Sequence, residues 1–127
     1  MNLNSLVIAA DASSARLFRT GQTNHVEEPV ELIQIDQLEP AAQEPGLFAR
    51  QIAERVARFA ELHLCNPIII AATSAMSPVL TAEIEREVPR SYVRPVVGDW
   101  AELPVRQLMD DLRERGAFSA VHYSCQT

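Results

Sequence analysis

Asn66-Pro67-Ile68-Ile69-Ile70-Ala71-Ala72-Thr73-Ser74-Ala75-Met76-Ser77-Pro78 is the stretch on which the fold turns. Asn66-Pro67 ends the helix before it, because proline removes a backbone donor and restricts the residue it follows. Residues 68–72 are apolar without alternation. A strand with one wet face alternates, whereas a strand buried on both faces does not, and parallel strands covered by helices are of that kind. Ser77-Pro78 reads as an N-cap with proline at the first helical position. Val79, Leu80, Ile84 and Val88 then give a helix an apolar face, and Pro89 stops it. A covered strand followed by a helix is half of a β-α-β crossover, so the class is α/β.

The N-terminal side supplies a matching run. Leu6-Val7-Ile8-Ala9-Ala10 is again uninterrupted, and Asp11-Ala12-Ser13-Ser14 after it is rich in residues whose side chains bond the backbone two positions on. Residues 15–20 form a second strand ended by Gly21, so the pair reads as a hairpin. Val30 to Leu38 alternates imperfectly, with Val30, Leu32 and Gln34 on one face and Ile33 and Ile35 breaking toward the other; it is expected as a third strand. Pro40, Pro45 and Gly46 mark a loop. Phe48, Ile52, Val56 and Phe59 then fall on one helical face, with Arg50, Glu54, Arg58 and Glu61 opposite, which predicts a helix over 47–64. Tyr92 to Gly98 is a strand whose Pro95 places it at a sheet edge. Pro104 opens a last helix with Val105, Leu108, Met109 and Leu112 on one face, Arg113 and Arg115 at its end and Gly116 beyond. Residues 117–127 have no clear period.

The order β-β-β-α-β-α-β-α, with right-handed crossovers, predicts a five-stranded mixed sheet of ribonuclease-H-like order 3-2-1-4-5 with helices on both faces. No repeat or linker divides it, and 127 residues suit a single domain over 1–127.

Composition narrows the function classes. The chain is 47% hydrophobic and 22% charged, as an ordinary globular protein is. A net charge of −6 repels phosphate backbones, so RNA or a ribosome is a disfavoured partner. Arg50, Arg55 and Arg58, and Arg86, Arg90 and Arg94, are interleaved with glutamates and read as solvated, charge-paired faces. Two cysteines do not make a disulfide framework, the run 6–10 is too short for a signal peptide, and no stretch is long enough to span a membrane. A cytoplasmic location is expected.

Several pieces resemble the bacterial host-attachment protein family. They are Ala10-Asp11 with Ala15-Arg16-Leu17-Phe18; Phe48-Ala49-Arg50-Gln51-Ile52-Ala53; the strand Ile68 to Ala72 with the Ser-Pro helix start; and Leu103-Pro104. In this order they run over about residues 5–115. The family looks related to the central domain of archaeal and eukaryotic peptide-release factors, and that relationship implies the ribonuclease-H-like fold already inferred. In release factors a Gly-Gly-Gln loop precedes the long helix and serves peptidyl-tRNA hydrolysis. The matching stretch, Ala42-Gln43-Glu44-Pro45-Gly46, has the glutamine without the glycine pair that lets a backbone approach a ligand. A longer polar insertion found before this helix in many members is reduced here to about eight residues. The resemblance implies a role in attachment to host cells.

The candidate catalytic residues are Asp11, Glu54 and Asp99, the carboxylates a two-metal nuclease of this fold would need to bring together. The fourth strand contributes none, since it ends Ala71-Ala72-Thr73-Ser74. Asp11 reads more readily as a turn-stabilising residue, and Asp99 equally as a cap of the C-terminal segment. Candidate binding residues are Arg16, which would pair with a carboxylate such as Asp11 or hold an anion, and Trp100, which packs or, if exposed, anchors a partner. His63, Cys65, His122 and Cys125 lack a zinc spacing. With no glycine-rich phosphate loop and no nucleophile elbow, neither metal nor cofactor is expected. The expected role is a non-catalytic interaction or regulatory domain with a protein partner or a second copy. A translation-linked RNA-binding module and a divergent metal-dependent nuclease are the alternatives.

Overall fold

A computed structural model describes residues 5–21, 31–60, 67–89 and 92–118. The elements are β1 (Leu6–Ala10), β2 (Ala15–Gly21), β3 (Glu31–Leu38), α1 (Pro45–Ala60), β4 (Ile68–Ala72), α2 (Met76–Glu87), β5 (Val93–Val97) and α3 (Val105–Glu114). They form one mixed sheet in the order β3-β2-β1-β4-β5, the ribonuclease-H-like order expected from the sequence. The β1–β2 and β2–β3 pairs are antiparallel; the β1–β4 and β4–β5 pairs are parallel.

The two uninterrupted apolar runs, β1 and β4, lie side by side at the centre, and every residue of both is buried. Their alternate residues feed two cores. Leu6, Ile8, Ala10, Ile68, Ile70 and Ala72 face α1 and α2, and meet Phe48, Ile52, Val56, Leu80 and Ile84. Val7, Ala9, Ile69 and Ala71 face the other way, and meet Trp100, Leu108, Met109 and Leu112 of the α3 layer. Helices cover both faces, two on one side and one on the other.

Four details differ from the sequence reading. First, β3 does not keep one phase. A register shift opposite Leu17 and Phe18 pairs them with Asp36 and Gln34, so Ile35 is an extra residue. Such a bulge reverses which face later residues point to. Leu32 therefore lies in the α3 core while Leu38, six positions on, lies in the α1–α2 core. Second, α1 begins at Pro45, and its described part runs to Ala60. Its ion pairs run to other elements: Arg50 to Glu83 at 3.8 Å, and Arg55 to Asp36. Third, α2 starts at Met76, so Ser77 and Pro78 sit inside its first turn and Ser77 is buried. The Met76 amide donates to Thr73 Oγ1 at 3.3 Å, which gives Thr73 the capping role assigned to Ser77. Fourth, β5 is Val93–Val97, shorter by a residue at each end.

Pro95 sits on the outer strand as expected, and the bonding shows why. Tyr92 O accepts from Ile68 N at 2.8 Å, and Gly98 N donates to Ala72 O at 2.9 Å. Even-numbered residues of β5 thus turn their backbone groups to β4, and odd-numbered ones turn theirs outward. The missing N–H of Pro95 is on the open side, where no ladder bond is lost and where its ring blocks a further strand.

α3 ends in a Schellman motif. Gly116 has φ 74°, its amide donates to Arg113 O at 3.0 Å, and the Ala117 amide donates to Leu112 O at 3.0 Å. Glycine takes this left-handed position without a steric cost.

Candidate functional site

The C-terminal ends of β1, β4 and β5 share one end of the sheet, because Ala10, Ala72 and Val97 lie in one register row. Asp11 and Asp99 follow the first and last of these. Strand β4 separates them, so their strands are two spacings, roughly 10 Å, apart. A two-metal centre needs carboxylates that share ions about 4 Å apart.

Asp11 is engaged locally. Its Oδ1 accepts from the amides of Ser13 at 2.7 Å and Ser14 at 2.9 Å, while its own amide donates to Ser14 O at 3.0 Å. This is an Asx turn that closes the β1–β2 hairpin. Asp11→Ala is expected to cost about 1 kcal/mol of stability, the scale of a lost capping interaction; urea unfolding checks it.

Glu54 is exposed on α1, on the side away from the buried row Phe48, Ile52 and Val56. Asp99 is exposed in the loop after β5. The structure does not bring the three carboxylates together. Among the described residues no group of three or more His, Cys, Asp or Glu side chains is placed to hold a metal ion. His63, Cys65, His122 and Cys125 lie outside the described residues.

Arg16 and Trp100 come together, and the reason lies in one row of the sheet. Arg16, Ala9, Ala71 and Val96 are in register across β2, β1, β4 and β5, on the face that carries α3. The two alanines leave height for a large ring. Trp100 is buried there, and its Nε1–H donates to Val96 O at 2.8 Å. Its own carbonyl accepts from Arg16 Nη2 at 3.1 Å, and Leu103 O accepts from the same nitrogen at 2.6 Å. Trp100 is thus a packing residue, not an exposed anchor. Gly98 makes room beside the ring: a Cβ there would lie 2.8 Å from Trp100 Cε2 and Nε1.

The sequence reading pairs Arg16 with a carboxylate such as Asp11 or with an anion; its bonds go instead to two neutral carbonyls, and its guanidinium lies 5.3 Å from the Phe18 ring centroid. Arg16 Nε is buried without an acceptor. Burial strips water from the cation and lowers its pKa from the usual arginine value. Arginine starts so high that the group stays charged.

Two other residues have structural work that the sequence reading did not give them: Arg94, read as part of a solvated, charge-paired face, and Gln51, quoted only within a motif. Arg94 of β5 donates from Nη1 to Gly116 O at 2.9 Å and Ala117 O at 2.7 Å, so it holds the far end of α3 as Arg16 holds the near end. Gln51 of α1 reaches back to the β3–α1 loop, accepting from Ala41 N at 3.1 Å and donating to Glu39 O at 3.0 Å. Only arginine's several donors and glutamine's paired donor and acceptor suit these tasks, but carbonyl partners leave no mark in a sequence.

No family model matches the chain, and no curated protein matches it. Among solved structures, the Aquifex aeolicus Ppx/GppA phosphatase, type II variant, is similar at 12% identity with a TM-score of 0.49. The match covers 76% of this chain and 36% of that one, so this chain spans about a third of that structure's length. At that level the likeness carries no information about function.

Proposed function

We propose that this chain is a non-catalytic interaction or regulatory domain working in the cytoplasm, in the process that its resemblance to host-attachment proteins implies. The observation that carries the reading is the use of its polar candidates inside the fold. Asp11 Oδ1 is occupied by two backbone amides, and the Arg16 guanidinium and Trp100 indole bond backbone carbonyls. These groups are committed to stabilising a turn and a layer. The partner is a protein or a second copy of the chain. With Pro95 blunting β5, a second copy would meet it through a helix face in the native protein. No helix among the described residues is long and apolar enough to cross a membrane.

The reading is tested by incubating the purified chain with RNA and with DNA in Mg²⁺ or Mn²⁺. The expected result is no cleavage above the level of an Asp11→Asn control. Metal-dependent cleavage that Asp11→Asn abolishes would replace it with the nuclease alternative. Ribosome co-sedimentation at moderate salt separates the third reading: the chain is expected in the supernatant, and salt-resistant pelleting would favour a translation-linked module.

A further inference from the structure

Gly46 is a glycine without a use inside the fold. Gly116 takes a positive φ, and Gly98 leaves room for the Trp100 ring. Gly46 does neither. It is the second residue of α1, it is not among the positive-φ positions, and a Cβ built on it would meet nothing within 4 Å. Glycine is a poor helix former, so alanine would fit here with a gain in stability. What a bare backbone admits is the close approach of something from outside.

The residues around it are presented rather than packed. Residues 43–47 are all exposed, and Leu47 is 46% exposed. A single exposed leucine needs no explanation. This one adjoins the bare glycine on a segment that is held in shape. Gln51 brackets the loop behind it, accepting from Ala41 N and donating to Glu39 O. Glu44 O accepts from the amides of Leu47 at 3.1 Å and Phe48 at 3.0 Å. Phe48 is buried in the α1–α2 core and fixes the turn to it. A segment ordered before contact loses little conformational entropy on binding.

Charge narrows the occupant. From Leu38 to Ala49 the chain has no cation, and it exposes Glu39 and Glu44. The adjoining β1–β2 turn, residues 11–14, has no cation either. Arg50, the first cation after this stretch, is paired with Glu83. Such a surface repels nucleic acid and the same surface of a second copy. It complements cations set around an apolar contact.

We infer that residues 43–47 are the contact this domain presents to a basic protein partner. Leu47 enters an apolar socket, arginine or lysine of the partner faces Glu44, and the partner's surface lies against the backbone of Gly46. The inference rests on the reading of the chain as an interaction domain and gives that domain its docking face.

The test places a photo-reactive benzoylphenylalanine in place of Gln43, in the chain expressed in its native cells, and in place of the exposed Glu85 on α2 as the control. One protein is expected to cross-link from position 43 and not from position 85. That protein, once purified, is expected to bind the native chain more weakly as salt rises. Glu44→Arg and Leu47→Ser are each expected to weaken binding roughly tenfold. Gly46→Gln separates contact from fold. It is expected to hold or raise the melting temperature, because glutamine is the better helix former and the space is open, and yet to weaken binding as much. The docking face is overturned by a cross-link to nucleic acid or to a second copy, by a partner whose binding Gly46→Gln leaves unchanged, or by binding that salt does not weaken. Cross-linking from position 85 alone overturns it while the interaction reading stands. Cross-linking of no protein from either position sinks both.

Discussion

Trp100→Ala is expected to destabilise the protein by about 3–5 kcal/mol, the range for truncating a large buried aromatic. The size follows from what surrounds the ring. Trp100 sits in the α3 core with Val96, Leu108, Met109 and Leu112. The alanines beneath it, Ala9 and Ala71, cannot grow to fill the space, and the backbone of Gly98 closes one side. The cavity therefore persists, and the Val96 carbonyl loses the indole donor. Arg115, whose Cζ lies 5.4 Å from the ring centroid, loses its aromatic surface as well. Chemical denaturation measures the loss. A change below about 1 kcal/mol would mean that the α3 layer collapses onto the alanines.

Arg16→Met is expected to cost about 2 kcal/mol in the same measurement. Methionine keeps most of the apolar stem and removes the cation. Two bonds from a charged donor, to Trp100 O and Leu103 O, are lost. Each is worth roughly 1.5–3 kcal/mol when both groups are sheltered. Against that, the variant no longer buries the unpartnered Nε, which relieves roughly 1–3 kcal/mol. The two lost bonds outweigh the one orphan. Arg16→Lys should recover only part of the loss, because an ammonium is more strongly hydrated than a guanidinium and gives up more on burial. A native-like stability for Arg16→Met would show that the orphan cost cancels the clamp.

Asp11 and Arg16 mark the line between what a sequence discloses and what it does not. Asp11 was legible because its partners, Ser13 and Ser14, are two and three positions away and belong to the turn-forming set. Arg16 was legible as a polar residue in a strand, but its acceptors are 84 and 87 positions away. They are main-chain oxygens, which every residue has. The strand order was legible for a different reason: residues 6–10 and 68–72 lack alternation, which only a strand covered on both faces can sustain. In β3 the imperfect alternation was the trace of the bulge, seen along one dimension. Counting residues could not show that Leu32 and Leu38 supply opposite cores. The start of α2 shifted because Thr73 precedes the Ser-Pro pair and caps the helix before Ser77 can.

α3 is tied at one end to β2 through Arg16 and at the other to β5 through Arg94. Those strands are three places apart in the sheet, a distance of roughly 14 Å at ordinary strand spacing. The central pair, β1 and β4, lies between them. Both ties end on main-chain oxygens, those of Trp100 and Leu103 at one end and of Gly116 and Ala117 at the other. Substitution can therefore remove either tie only from the strand side, at the arginine, since no change of side chain deletes its acceptors.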